Sequence, residues 1–340
     1  MGETVTHTPA VTVLIPVYNA AAYVKEAIQS ILQQSYSDFE LLIINDGSTD
    51  HSVSVIESIT DKRIVLLHNE RNLGLIETLN KGFQLAKGNY IARMDADDVA
   101  HPERLNLQVR YMDAFPECGV FGSAYQEFSS AGKGKTVTFS DKHDLLKTVL
   151  FFNSCMSHPT VMFRKALLTE HQVRYAHEYK HAEDYALWVQ LIDKTRFSNS
   201  PLPLLKYRLH ASQVSSSHNL EQQQTADRIR GMMLKRIGVV PDAAEQELHR
   251  MISSGQKFES AETLMQLEVW FKKLIEANRQ CGYADHKTFS SYLAAVFADA
   301  CSGSSRGWKA YYLYYVSDLA EYQSLSALEK FKLLIKCLLR

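Results

Sequence analysis

Carboxylates mark two places in this chain where chemistry is concentrated. Three stand within four residues, Asp95-Ala96-Asp97-Asp98, and two are adjacent at Glu183-Asp184. The first group follows a short apolar run and precedes Pro102-Glu103-Arg104-Leu105, which reads as a helix start with Pro in its first turn. It is therefore expected at the carboxyl end of a strand, where open α/β sheets place their ligands. Alternate side chains of an extended segment share a face, so Asp95 and Asp97 are expected to converge on one object. Like charges held close are unfavourable unless a cation or a raised pKa relieves them. Oxygen ligands with no Cys or His beside them suit Mg²⁺ or Mn²⁺ bridging to a phosphate. Taken alone, the same four residues also describe a solvated acidic turn that caps the next helix.

The elements around this stretch must be able to position it. Residues 11–17, 39–45 and 64–68 are short apolar runs rich in β-branched residues, the pattern of buried parallel strands. Helices are expected between them, the first capped by Asn19, the second over 52–58, and the third running from the Asn69–Gly74 turn to a C′ glycine at Gly88. The resulting βαβαβαβ order with short connections predicts right-handed crossovers and a parallel sheet. A dinucleotide fold would carry G-x-G-x-x-G after the first strand, and the turn here reads P-V-Y-N-A. Beyond Pro102 we expect a helix near 103–115, a strand near 119–128, a polar loop at 129–135, a helix near 141–152 and an extended piece at 204–210. Composition shifts at Ser215-Ser216-Ser217, dividing residues 1–215 from an all-helical region at 216–340 with Pro241 and Gly282 as breakers.

Composition narrows the classes. A net charge of −1 gives no electrostatic case for nucleic acid as the main partner. The five cysteines are widely spaced without any C-x-x-C, which fits reduced thiols of a cytoplasmic protein. No apolar run is long enough to span a bilayer, so work at a membrane would mean its surface, the inner face of the plasma membrane. Residues 324–340 read as a helix with Leu328, Phe331, Leu334, Ile335 and Leu338 on one side and Lys332, Lys336 and Arg340 on the other. A tyrosine-rich run over 308–322 precedes it. That pattern fits either a helix lying in the membrane interface or one packed on the helical domain or on a second subunit.

Read in order, V-L-I-P-V-Y-N, I-I-N-D-G-S-T-D, N-x-G-L, the aspartate cluster, H-P-T-V-M-F-R, E-D-Y-A-L-W and Y-R-L-H resemble the family 2 glycosyltransferases of the GT-A fold, over about residues 11–215. The resemblance implies a Rossmann-like, mostly parallel α/β sheet flanked by helices, ahead of the C-terminal region read above as all-α. It implies that Pro16, Val17, Tyr18 and Asn19 cradle a nucleotide, with Asp46 and Gly47 beside them. Asp46 is suited to accept from a ring N–H such as that of uracil, although Asp-Gly is also a strong turn pair. Arg71 and Asn72 precede a helix whose free N–H groups favour a diphosphate. By the same resemblance Asp95, Ala96 and Asp97 form the motif that sets Mn²⁺ or Mg²⁺ on the donor diphosphate. Asp98 either hydrogen-bonds the sugar or caps the following helix.

Asp184 is the expected general base, because single-displacement transfer needs a carboxylate to take the acceptor hydroxyl proton. Glu183 is a supporting sugar contact or simply an acidic first-turn residue. His158 is expected on the substrate side. Arg208 and His210 share a face of an extended piece and are expected to meet the diphosphate or its cation, against a packing role for either. The reading that follows is an inverting enzyme that moves a sugar from a nucleoside-diphosphate donor, UDP-linked, to a hydroxyl of a lipid-linked glycan in capsule or O-antigen synthesis. The competing reading is a non-catalytic sugar-nucleotide or carbohydrate-binding module on the same scaffold.

Overall fold

The computed structural model describes residues 8–210, 219–258, 260–303, 308–322 and 335. Strands β1 (Val11–Val17), β2 (Phe39–Asn45), β3 (Ile64–His68) and β4 (Tyr90–Arg93) lie parallel in the order β3-β2-β1-β4. β1, β2 and β4 are buried almost throughout, which is why their sequences run apolar without alternation. Helices α1 (Val24–Leu32), α2 (Ser52–Glu57) and α3 (Leu75–Leu85) make the crossovers. The short β5 (Val99–Ala100) and helix α4 (Arg104–Ala114) follow, then the hairpin of β6 (Cys118–Ser129) and β7 (Gly132–Val137). After α5 (His143–Val149) come β8 (Met162–Arg164), α6 (Lys165–Glu170), α7 (Glu183–Leu191) and β9 (Arg196–Arg208).

Beyond β4 the sheet becomes mixed. β8 is antiparallel to both β4 and β6, β6 and β9 run parallel, and β5 closes the edge antiparallel to β9. The architecture is the mostly parallel α/β sheet expected from the sequence. β1 lies between β2 and β4, so the chain reverses its winding there and leaves a crevice at their carboxyl ends. Across the sheet, buried Arg104 of α4 donates from Nη2 to the Arg93 carbonyl (2.6 Å) and from Nε to Gln108 Oε1 (3.1 Å). Gln108 in turn donates to the carbonyls of Thr160 (2.8 Å) and Phe121 (3.2 Å), so one polar strut ties α4 to β4 and β6.

Four local expectations are corrected. Asn19 does not cap α1, which begins at Val24; it sits at φ +50° with its side chain turned to the next loop. Gly88 is not a left-handed C′ residue; a Cβ there would lie 2.4 Å from the Thr12 nitrogen, so glycine is needed for close approach to β1. The polar stretch 129–135 turns tightly and enters β7 rather than remaining loop. The acidic cluster lies past the end of β4, so its carboxylates converge through a turn and not through strand alternation.

The chain divides into two compact units, residues 1–143 with 154–226, and 144–153 with 227–340. In the second, α8 (Asn219–Arg236) enters from the first unit, followed by α9 (Ala243–Ser254), α10 (Ala261–Cys281), α11 (His286–Gly303) and α12 (Trp308–Val316). Asp242 and Glu245 form a capping box at the start of α9, and Gly282, at φ +63°, ends α10. Its core joins Phe151, Phe152, Trp270, Phe271, Phe289 and Phe297. Of the tyrosine run, Tyr314 is buried while Tyr312 and Tyr315 are exposed. The amphipathic stretch 324–340 lies outside the described residues, Ile335 excepted. No helix among the described residues is long and apolar enough to cross a membrane.

The close approach at Gly88 yields the first test. Gly88→Ala must push the α3–β4 turn off β1, where the Gly88 amide donates to Thr12 Oγ1 (2.9 Å), and should cost about 1–3 kcal/mol. Urea unfolding measures it; an unchanged midpoint would contradict this packing.

Candidate active site

Two loops at the carboxyl ends of β1 and β2 are laced together by the residues of the N-D-G-S-T-D stretch. The Asn19 amide donates to Ser48 Oγ (3.0 Å), and Asn19 Oδ1 accepts from the Thr49 amide (2.8 Å). The Ala20 and Ala21 amides donate to Ser52 Oγ (2.8 Å) and Asp50 Oδ2 (3.0 Å). Pro16 and Val17 end β1, while Tyr18, half exposed, and Asn19 face outward at the crevice. Asp46 is buried and its carboxylate is engaged internally. Oδ1 accepts from Asn69 Nδ2 and the Leu73 amide (both 2.8 Å), and Oδ2 accepts from the Gly74 amide (2.9 Å). Gly47, at φ +70°, admits the Arg71–Asn72 backbone so closely that a Cβ would stand 2.6 Å from it. Asp46 and Gly47 thus hold the 71–74 turn over the crevice, with the side chains of Arg71 and Asn72 exposed.

Past β4, Asp95, Asp97 and Asp98 each offer a carboxylate oxygen within 4.8 Å of the others. Arg93, the last residue of β4 and only 2% exposed, makes a two-pronged pair with Asp95 (Nη1 to Oδ2 2.8 Å, Nη2 to Oδ1 2.5 Å). Burial works against the Arg93 charge, but the Asp95 carboxylate keeps its pKa raised. Burial also raises Asp95, opposed by Arg93 and reinforced by the charges of Asp97 and Asp184. Asp98 is wholly buried, accepts from the Arg208 amide through Oδ1 (3.0 Å), and has no hydrogen-bond partner for Oδ2. Burial and the neighbouring Asp95 and Asp97 charges push its pKa well above the carboxylate range. Asp97 Oδ2 meets His210 Nε2 at 2.8 Å, and Asp97 O accepts from Arg208 Nε at 2.7 Å. The β5–β9 pairing, Val99 opposite Lys206, carries residues 208 and 210 back to the acidic turn.

On the far side, Glu183 and Asp184 open α7. Asp184 Oδ1 accepts from the Tyr185 amide (2.7 Å), and burial raises its pKa. Burial, with the Asp184 charge beside it, lifts Glu183 to about 7. His158 is buried, bonded through Nε2 to the Tyr175 hydroxyl (2.7 Å), and burial beside Arg93 keeps it neutral. The Asn80 side chain of α3 clamps the Tyr175 backbone from both sides, accepting from its amide (2.8 Å) and donating to its carbonyl (2.9 Å).

The sequence reading assigned no role to Arg93, Tyr175 or Tyr207. Burial raises Tyr175 and Tyr207, and the charges of Asp95 and, for Tyr175, of Asp184 and Glu183 also reach them. Arg93 had one available signal, a cation two residues before an acidic cluster on an otherwise apolar strand. Trp188 and Phe163 are core, stacked at 5.8 Å, and Arg164 donates to the Met112 (2.9 Å) and Cys118 (3.2 Å) carbonyls.

A divalent cation fits the acidic turn. The donors are hard oxygens within reach of one another, and the orphaned Asp98 Oδ2 faces an accumulation of negative charge that a cation would relieve.

Comparison with known proteins agrees with this geometry. The glycosyl transferase family 2 model matches residues 12–171. An uncharacterized glycosyltransferase of Haemophilus influenzae is 36% identical over 65% of this chain and 72% of its own. The O-antigen biosynthesis glycosyltransferase WbnJ of Escherichia coli is 32% identical over 61% of this chain and 82% of its own. The amylovoran biosynthesis glycosyltransferase AmsE of Erwinia amylovora is 31% identical over 60% and 78%. The crystal structure of S. aureus TarS 1-349 in complex with UDP-GlcNAc superposes with a TM-score of 0.58 at 18% identity, over 92% of this chain and 89% of that one, and so shares the fold. The switch-point crevice, the acidic turn beside it and these relatives together place the chain in glycosyl transferase family 2.

Proposed function

We propose that this glycosyltransferase is inverting and metal-dependent, and takes its sugar from a nucleoside diphosphate, UDP in the first instance. The observation that carries this reading is the joint presence of two separate acidic groups around one crevice, Asp95-Asp97-Asp98 and Glu183-Asp184. Asp97 and Asp95, with His210, would hold Mn²⁺ or Mg²⁺ on the donor diphosphate; a bound cation there offsets the charge that builds on the leaving group. The loops at Pro16–Asn19 and at Arg71-Asn72 offer backbone and side chains to the nucleotide. Asp184 takes the acceptor hydroxyl proton as that oxygen attacks the anomeric carbon. Its raised pKa supports this, since a base closer to neutral pH transfers protons more effectively. Asp98, His158 and Glu183 line or support the substrate side.

The fold of TarS holds UDP-GlcNAc, and two relatives are named for amylovoran and O-antigen biosynthesis, which supports a UDP-sugar donor and a surface-glycan acceptor; its attachment to a lipid carrier is part of the same proposal. Residues 1–215 carry the chemistry in this reading, and the helical region at 216–340 serves membrane-surface or subunit contact. A binding module without catalysis would not require a raised-pKa carboxylate opposite the metal carboxylates.

Three outcomes are expected. Chelating divalent ions abolishes transfer and Mn²⁺ or Mg²⁺ restores it, while Asp97→Ala weakens donor binding as well as turnover; full turnover in excess chelator would remove the metal from the account. Asp184→Asn preserves shape but not basicity, so turnover falls by roughly 10²–10⁴-fold with donor affinity retained. Loss of donor binding instead would place the base elsewhere.

The third concerns pH. A carboxyl whose folded pKa is raised to about 7 stays protonated at lower pH and destabilises the fold as pH rises from its unfolded value, near 4.5, through 7. Glu183→Gln removes that loss. The melting temperatures of variant and wild type, measured without metal, should therefore diverge in the variant's favour across this range. A constant difference at all pH would show that Glu183 does not titrate there.

A further inference from the structure

Arg208 stands where a cation would be expected to meet the donor diphosphate, yet its contacts point elsewhere. Its backbone amide donates to Asp98 Oδ1 (3.0 Å), its Nε to the Asp97 carbonyl (2.7 Å) and its Nη2 to Glu26 Oε2 of α1 (2.5 Å). The guanidinium lies against two rings, 4.4 Å from the centroid of Phe128 and 4.8 Å from that of Tyr23. Tyr23 also lies against His210, with ring centroids 5.0 Å apart. The chain therefore spends Arg208 on its own backbone and on a carboxylate 182 residues away. With two aromatic rings against it and its charge matched by Glu26, this group is poorly presented to an incoming phosphate.

We propose that Arg208 is a positioning residue, a strut from Glu26 on α1 to the backbone of the acidic turn, which sets where the Asp97 carboxylate and His210 point. The proposal rests on the reading of Asp97 as a cation-holding carboxylate. The acidic turn has no regular secondary structure of its own, and like charges in it repel. Something outside the turn must fix its path, and residues 208 and 210 do so from the end of β9. Groups that orient metal ligands in this way commonly alter metal affinity when removed. Glu26 extends the effect to a residue of α1 outside the acidic turn, with a side chain 58% exposed. An exposed ion pair of this kind contributes little to stability. Its loss should therefore appear in the cation site and not in the melting temperature.

The experiment measures Mn²⁺ binding to the full chain by electron paramagnetic resonance, from the signal of free Mn²⁺, in the presence of UDP. UDP binding in chelator is measured in parallel. Glu26→Gln is expected to weaken Mn²⁺ binding about threefold to tenfold with its melting temperature unchanged, and Arg208→Met by about tenfold or more. Arg208→Lys should resemble the Met variant, because an ammonium cannot bridge carbonyl and carboxylate in one plane. UDP affinity in chelator should be unaltered in all three. The strut is overturned if Glu26→Gln binds Mn²⁺ like the wild type, or if Arg208→Met loses UDP affinity in chelator, which would make Arg208 a phosphate contact. If the wild type itself binds no Mn²⁺, the cation reading falls, and the strut's purpose falls with it.

Discussion

Everything around the crevice answers to the crowding of negative charge at the end of β4. Asp95, Asp97, Asp98, Glu183 and Asp184 are partly or wholly buried and near enough that their charges act on one another. In water such groups would ionise independently; in a desolvated cleft they cannot all do so. The fold answers with two buried cations, Arg93, paired to Asp95 by both of its terminal nitrogens, and Arg104, on which the charges of Asp98 and Asp95 also act. It keeps Asp98 and Glu183 disposed toward protonation and leaves a deficit of positive charge that a divalent ion would fill. The same charge density would favour a divalent cation bridging to a diphosphate.

The scaffold keeps this arrangement in place with polar contacts between its own elements. Asp46 clamps the 73–74 amides, Asn80 clamps Tyr175, and Arg104 holds the Arg93 carbonyl. Each ties one element to another, so the cleft is defined by loops anchored on the sheet and not by the loops alone. Such anchoring holds catalytic groups near productive geometry before substrate arrives.

Much of this was legible in the sequence. The apolar runs of β1, β2 and β4 announced buried strands, because burial on both faces leaves no room for alternation. The acidic turn was recognisable from composition and place, although turn geometry, not strand alternation, brings its carboxylates together. Asn19 and Gly88 were misread because cap signatures are local, whereas Asn19 is recruited by a loop thirty residues on and Gly88 by the approach of β1. Tyr175 gave no signal: a single tyrosine in a polar segment is placed by long-range contacts with Asn80, Phe83 and His158. The contacts of Arg208 with Glu26 and the acidic turn were not legible, since Glu26 is unremarkable on the surface of α1.

The central claim is that a divalent cation on the acidic turn organises the donor opposite Asp184. Diffraction from crystals soaked with Mn²⁺ and UDP, collected at the manganese absorption edge, tests it most directly. The account predicts one anomalous peak about 2.1 Å from an Asp97 carboxylate oxygen and in contact with the diphosphate. A UDP bound in the crevice with no anomalous peak at the acidic turn, or a peak held by residues elsewhere, would contradict it.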